Sequence, residues 1–262
     1  MPEDPERWRR HGPMTDPGDQ AGRLAGLPGD VGALCGIIHG LLIHADWLSA
    51  YGVAEPAAWS RETWPLAERL RQIVAANPGP LPVPRLPGAR AVVTCRDFAL
   101  MLCGMLRQQG RPARLRCGFA AYLGGNAWED HWICEYFLPA AGGWRVADPQ
   151  IDAVLAERLG VAFDPAAVPA GQFITAGEAW RRCRSGRDDP AAFGHGAATG
   201  LWFVRINVVR DHLALHETPV SAWDGWRRAE PVHRTLSATD LAATDRLALA
   251  QEEAPVVPPW LA

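Results

Sequence analysis

Residues 94–149 read TCRDFALMLCGMLRQQGRPARLRCGFAAYLGGNAWEDHWICEYFLPAAGGWRVADP, and this stretch decides the fold. Thr94 suits a helix N-cap, with Asp97 three residues on as its capping-box-like partner. Phe98, Leu102, Met105 and Leu106 recur at helical spacing, so a helix is predicted over Cys95–Gln109. Gly110 ends it, and Pro112 prevents continuation. Three strand-like runs follow: Arg114–Leu123, the alternating His131–Leu138, and Trp144–Ala147 after the Gly142-Gly143 turn. One helix followed by antiparallel strands reads as an α+β fold.

On the N-terminal side, residues 1–29 are rich in Pro, Gly and charge without apolar periodicity, which predicts a mobile leader. Residues 30–77 read as a helical part. Asp30 caps a helix with Val31, Leu34, Cys35, Ile38, Leu41, Leu42 and Ala45 on one face, ended by Gly52. A second helix is predicted near Arg61–Ala76, with Leu66, Leu70, Ile73 and Val74 buried. Residues 78–89, with Pro78, Pro80, Pro82, Pro84 and Pro87, predict a stiff extended connector into the core at 90–152. Residues 153–262 read as mostly helical, and 30–262 as one domain. Helices are expected over 171–186 and from the Ser237/Asp240 cap to about 252; the first half of 199–215 fits strand and helix equally.

Composition narrows the function. The chain has 262 residues, 48% hydrophobic and 21% charged, which suits a globular protein with its own core. A net charge of −3 gives no basic field for nucleic acid. No apolar run reaches membrane-spanning length, and no signal peptide opens the chain, so a cytoplasmic protein without a membrane partner is expected. The six cysteines then read as reduced thiols rather than a disulfide framework. All 26 basic residues are Arg, a usage that the coding bias of a GC-rich genome accounts for.

Three residues of the core form a nucleophile, base and orienter set. Cys95 opens a helix, where the dipole and free N–H groups favour its thiolate, and Arg96 adds positive charge. His131 opens a strand and can take and return a proton. Asp148 follows the neighbouring strand and can hold the imidazole tautomer. Tyr122, Trp128, Trp132 and Arg96 are the candidate substrate contacts, and the 121–130 loop, with two glycines, can close over the site. The other cysteines read as packing residues. No metal or other cofactor is expected: His212 and His216 lack the Glu of a His-Glu-x-x-His site, and His39 and His44 diverge on a helix. Arg181, Arg182, Arg184 and Arg187 read as a solvated face, and Trp223, Asp224 and Trp226 as a domain-closing contact.

The segment resembles the transglutaminase-like superfamily. Thr94-Cys95-Arg96-Asp97-Phe98-Ala99 is similar to its nucleophile segment and Gly110-Arg111-Pro112-Ala113-Arg114 to the turn behind it. Asp130-His131-Trp132 and Trp144-Arg145-Val146-Ala147-Asp148-Pro149 resemble its His and Asp segments. Ile43-His44-Ala45-Asp46-Trp47 and Arg210-Asp211-His212-Leu213-Ala214-Leu215 look like parts of a bacterial subgroup. The resemblance implies a papain-like core, a Cys95-His131-Asp148 triad and a thioester acyl-enzyme, acting on a peptide, protein or small acyl substrate. It leaves open hydrolysis, transfer to an amine, amide formation from a carrier-bound thioester, and a non-catalytic binding module. A glutamine-to-lysine cross-linker of this composition has no side-chain amine of its own to offer. The chain incubated alone is expected to give no Lys-linked multimers on denaturing gels.

Overall fold

The computed structural model describes residues 4–56, 59–60, 65–218, 229–250, 255 and 257. Its contacts divide the chain into two compact units, where the sequence suggested one domain from residue 30. The first comprises Met1–Leu115 and Ile133–Val168, the second Arg116–Trp132 and Pro169–Ala262. Trp223, Asp224 and Trp226 lie outside the described residues.

In the first unit the chain forms α1 (Ala21–Leu24), α2 (Val31–Leu41), β1 (Leu42–His44), α3 (Leu66–Ala76), β2 (Ala91–Val93) and α4 (Cys95–Gln108). Strands β3 (Ala113–Ala120) and β4 (Trp128–Leu138) each pass from one unit to the other along the chain, and β5 (Gly143–Ala147) and α5 (Ala153–Leu159) complete the unit. Every residue of α4 from Cys95 to Arg107 is buried, so its polar members need partners. Arg107, for example, donates to the Ala113 and Arg10 carbonyls at 2.7 and 3.0 Å and to Thr15 Oγ1 at 3.0 Å. β4 and β5 pair antiparallel from Cys134 opposite Ala147 to Leu138 opposite Gly143. Their loop is a turn of 3-10 helix over Pro139–Ala141 closed by Gly142, whose φ of 69° needs a glycine.

Three expectations for this unit change. The helix begun at Asp30 does not reach Gly52: it stops at Leu41, because Leu42–His44 pair in parallel with Ala91–Val93, and a 3-10 turn over Ala45–Tyr51 follows. The proline segment is not extended but coiled around one side chain. Arg85 donates to the carbonyls of Asn77, Gly79, Pro80, Leu81 and Val83, and its own N–H donates to Gly40 O at 2.9 Å. Pro84 sits so close to α2 that a Cβ on Gly40 would lie 2.9 Å from its Cα. The segment expected as a mobile leader packs instead. Trp8, Met14 and Leu24 are buried, Arg107 and Arg114 lie over the Trp8 ring, and Leu66 N–H donates to Met14 O at 2.8 Å. Single large apolar anchors hold this strap without any period for a sequence pattern to reveal.

The second unit adds β6 (Phe173–Thr175), α6 (Ala176–Arg184), β7 (Phe193–His195), β8 (Ala198–Thr199), α7 (Leu201–Leu215) and α8 (Ala238–Leu247). β6 pairs antiparallel with the end of β3, β7 in parallel with the start of β4, and β8 antiparallel with β7. Phe119, Phe193 and Phe203 meet in its core, with ring centroids 5.2 and 6.5 Å from Phe119. Residues 201–215, which fitted strand and helix equally in their first half, are one helix buried on nearly every side. A helix buried all round shows no amphipathic period, which is why its pattern was silent. The arginines of α6 are paired: Arg182 Nε donates to Glu178 at 2.9 Å and Arg184 to Asp245 at 3.0 Å. α8 begins with the expected Ser237/Asp240 capping box.

Gly118 is required where β3 meets β6: a Cβ there would lie 2.1 Å from Ile174 O. Because backbone, not a flexible side chain, is in the way, Gly118→Ala is expected to cost at least about 2 kcal/mol. A lower urea midpoint at unchanged slope would show it; a midpoint equal to wild type would contradict the pairing.

Candidate active site

Cys95 is the first residue of α4, and its position is set by the turn around it. Thr94 donates from its N–H and its hydroxyl to Asp97 Oδ2, at 3.2 and 3.3 Å. The other carboxylate oxygen takes Arg69 of α3, with Nε donating at 2.9 Å and Nη2 in ion-pair contact at 2.8 Å. All of these side chains are buried, as are Cys95 and Arg96. The capping box was readable from Thr94 and Asp97. Arg69 was not, being 28 residues away, although it stands at apolar spacing between Leu66 and Ile73. That spacing was the available signal for an inward arginine.

Asp148 follows β5 and is fully buried. Its N–H donates to Pro165 O at 2.8 Å, and its carboxylate accepts from Gln150 N–H at 3.0 Å. Asp148-Pro149 thus opens a turn held by the Asp148 side chain. His39 of α2, set aside in the sequence, lies against this turn and bonds the backbone at Pro149; burial lowers its pKa from the ordinary imidazole value, opposed by the Asp152 carboxylate. Tyr51 is hydrogen-bonded to Asp152, and burial with that carboxylate raises its phenol.

His131 lies on β4 with 1% of its surface exposed, and the Tyr122 ring meets its edge at 6.3 Å and 83°. Strand alternation sends its neighbours Asp130 and Trp132 to the opposite face. There Arg210 of α7 binds both. Its Nη1 lies 3.0 Å from Asp130 Oδ2, and its guanidinium is 5.3 Å from the Trp132 ring. Trp128 shares that face and stacks on Phe193 at 5.8 Å and 7°. The expectation that Trp128 and Trp132 flank the base as substrate contacts is thus corrected: an even offset from one another and an odd offset from His131 put both indoles into packing. Tyr122 is an aromatic candidate that meets the His131 ring.

The loop bearing Tyr122 is tied at its far end. Asn126 donates from its N–H and side chain to Glu129, which also contacts His195 Nδ1 at 2.6 Å. His212 and His216 are engaged by carbonyls, of Leu247 and His212, both at 2.8 Å. Among the described residues no cluster of three His, Cys, Asp or Glu is placed to hold a metal ion.

A thiol at a helix start, an imidazole on a strand and a carboxylate just beyond a neighbouring strand are the parts a cysteine nucleophile requires. Residues 82–149 match the family model of the transglutaminase-like superfamily core, and Cys95, His131 and Asp148 all fall inside the match. This segment is a transglutaminase-like one, of a superfamily that generally includes cysteine enzymes, acyltransferases and proteases among them. No curated protein and no solved structure matches the chain. No helix among the described residues is long and apolar enough to cross a membrane.

All six cysteines are buried, and none of them is in a disulfide. Burial, reinforced by nearby carboxylates, pushes the Cys35 and Cys183 thiols up to about 12. Cys134, whose Sγ is 3.1 Å from that of Cys103, is also pushed up by burial. These three are expected to stay silent toward a disulfide reagent at pH 8 until the chain unfolds. A folded-state thiol held protonated stabilises nothing further below its unfolded value and loses ground above it. Stability should therefore fall as pH rises from about 9 toward 12. A urea midpoint that stays flat across that window would contradict the assignment.

Proposed function

We propose that residues 90–152 are the catalytic core of a cysteine-dependent acyl-transfer enzyme, a hydrolase or amine transferase with a papain-like triad. The observation that carries this reading is Cys95 as the first residue of a fourteen-residue buried helix inside the matched segment. The helix dipole favours negative charge at its first turn, whose backbone N–H groups offer an oxyanion site. The β4/β5 register supports the other two roles. Cys134 lies opposite Ala147, so the next residue, Asp148, comes level with Ile133, which shares a strand face with His131.

In the proposed cycle His131 takes the thiol proton, and Cys95 Sγ attacks the carbonyl carbon of an amide, peptide or thioester. The tetrahedral oxyanion is met by backbone N–H groups at the start of α4. As it collapses, the C–N or C–S bond breaks and His131 returns the proton to the leaving amine or thiol. The thioester left on Cys95 is attacked by water or an amine, which gives its proton to His131. Collapse releases the acid or new amide and the thiol is reprotonated. Asp148 orients the imidazole throughout. Tyr122 and Arg96 are the proposed substrate contacts.

Cys95→Ala is expected to keep the unfolding midpoint within a few tenths of wild type and to lose acyl transfer by at least about 10⁴-fold. The assay is an intact-mass search for a covalent acyl adduct with a panel of amide and thioester substrates. An adduct retained in a folded Cys95→Ala variant would sink the reading.

A further inference from the structure

We propose that Arg210 is a positioning residue for His131, its one guanidinium holding the residues on either side of that histidine. Asp130 and Trp132 both point to the face opposite His131. Arg210 binds Asp130 through Nη1 at 3.0 Å, and its guanidinium lies 5.3 Å from the Trp132 ring. Its Nη1 also donates to Asn207 Oδ1 at 2.7 Å, one turn earlier on α7. The side chains of Arg210 and Asp130 are 1% and 0% exposed. With both flanking side chains fixed, the intervening backbone has no freedom to rock, and the His131 ring can leave its face only by a rotamer change that Tyr122 obstructs.

Stability does not explain the pair well. Asp130 Oδ1 is buried with no hydrogen-bond partner among the described residues. A buried ion pair with an unsatisfied oxygen is a poor stabiliser compared with apolar residues of the same volume. The neighbouring Asp211 completes the seat: it accepts from Arg116 Nε and Nη2 at 2.9 and 2.7 Å and from Cys117 N–H at 2.8 Å. Two consecutive charged residues of α7 thus grip β4 and β3 in turn. Misplacing a general base by about 1 Å is enough to cost about 100-fold in rate, so a rigid grip on its backbone has catalytic value.

This inference rests on the Cys95–His131–Asp148 reading, and the test separates the two. The rate of Cys95 alkylation by iodoacetamide is followed from pH 5.5 to 9 by peptide mass spectrometry in the full chain. Wild type, His131→Ala, Arg210→Lys and the charge-neutral double variant Asp130→Asn/Arg210→Met are compared. A wild-type profile that coincides with His131→Ala would overturn the triad reading, and this proposal with it. With the triad intact, the double variant is expected to remain folded while its ratio of rates at pH 6 and pH 9 drops about tenfold toward that of His131→Ala. Arg210→Lys, which keeps the charge but not the planar reach, should fall between. A folded double variant with the wild-type profile would overturn the positioning role alone. A double variant that cannot fold would make the pair a folding element and overturn it equally.

Discussion

The contact between Arg69 and Asp97 carries more of this structure than its size suggests. α4 is buried from its first residue to its next-to-last, so the polar groups at its N-terminus cannot turn to water. Asp97 resolves the problem by dividing its oxygens, one to Thr94 and one to Arg69 of α3. The helix start, the neighbouring helix and the position of Cys95 are thereby one unit of geometry. Breaking the pair would leave a buried charge alone, which costs far more than the intact pair contributes.

The same solution recurs wherever a reactive or buried segment needs a fixed direction. Asp148 is pinned through its own N–H to Pro165 and through Gln150. The strand segment at His131 is pinned from the far face by Arg210. These contacts fix the segments that carry the residues proposed for the chemistry. Supporting contacts of this kind are what hold a constellation to the fraction of an ångström that catalysis needs.

How much of this was legible follows from the range of each interaction. The α4 cap, the Gly142 turn and the alternation of β4 are settled within a few residues, and all three could be read. The end of α2 could not, because Leu42–His44 leave the helix to pair with a strand almost fifty residues on. β7 and β8 are three and two residues long, too short to display a period. α7 hid its helical nature by being buried on nearly every side, its charged Arg210 and Asp211 included. At the candidate site, residue types single out Cys95, His131 and Asp148 as candidates, whereas Arg69, His39 and Arg210 are brought in by packing across long separations. Trp128 and Trp132 were misjudged by nearness in sequence, when strand parity already separated them from His131.

The absence of lysine takes on structural meaning at this point. All the basic residues are arginines, and the fold uses what only arginine supplies. Arg116 grips Asp211 with two nitrogens, Arg85 gathers five carbonyls, and Arg210 combines an ion pair with a planar contact on Trp132. A lysine ammonium is a compact, strongly hydrated point charge; it has neither the fork nor the flat face, and it loses its proton more readily when buried. The arginine-only composition is therefore a constraint of the interior. Replacing these arginines by lysine would preserve every formal charge and still leave carbonyls, carboxylates and an indole without the geometry that holds them.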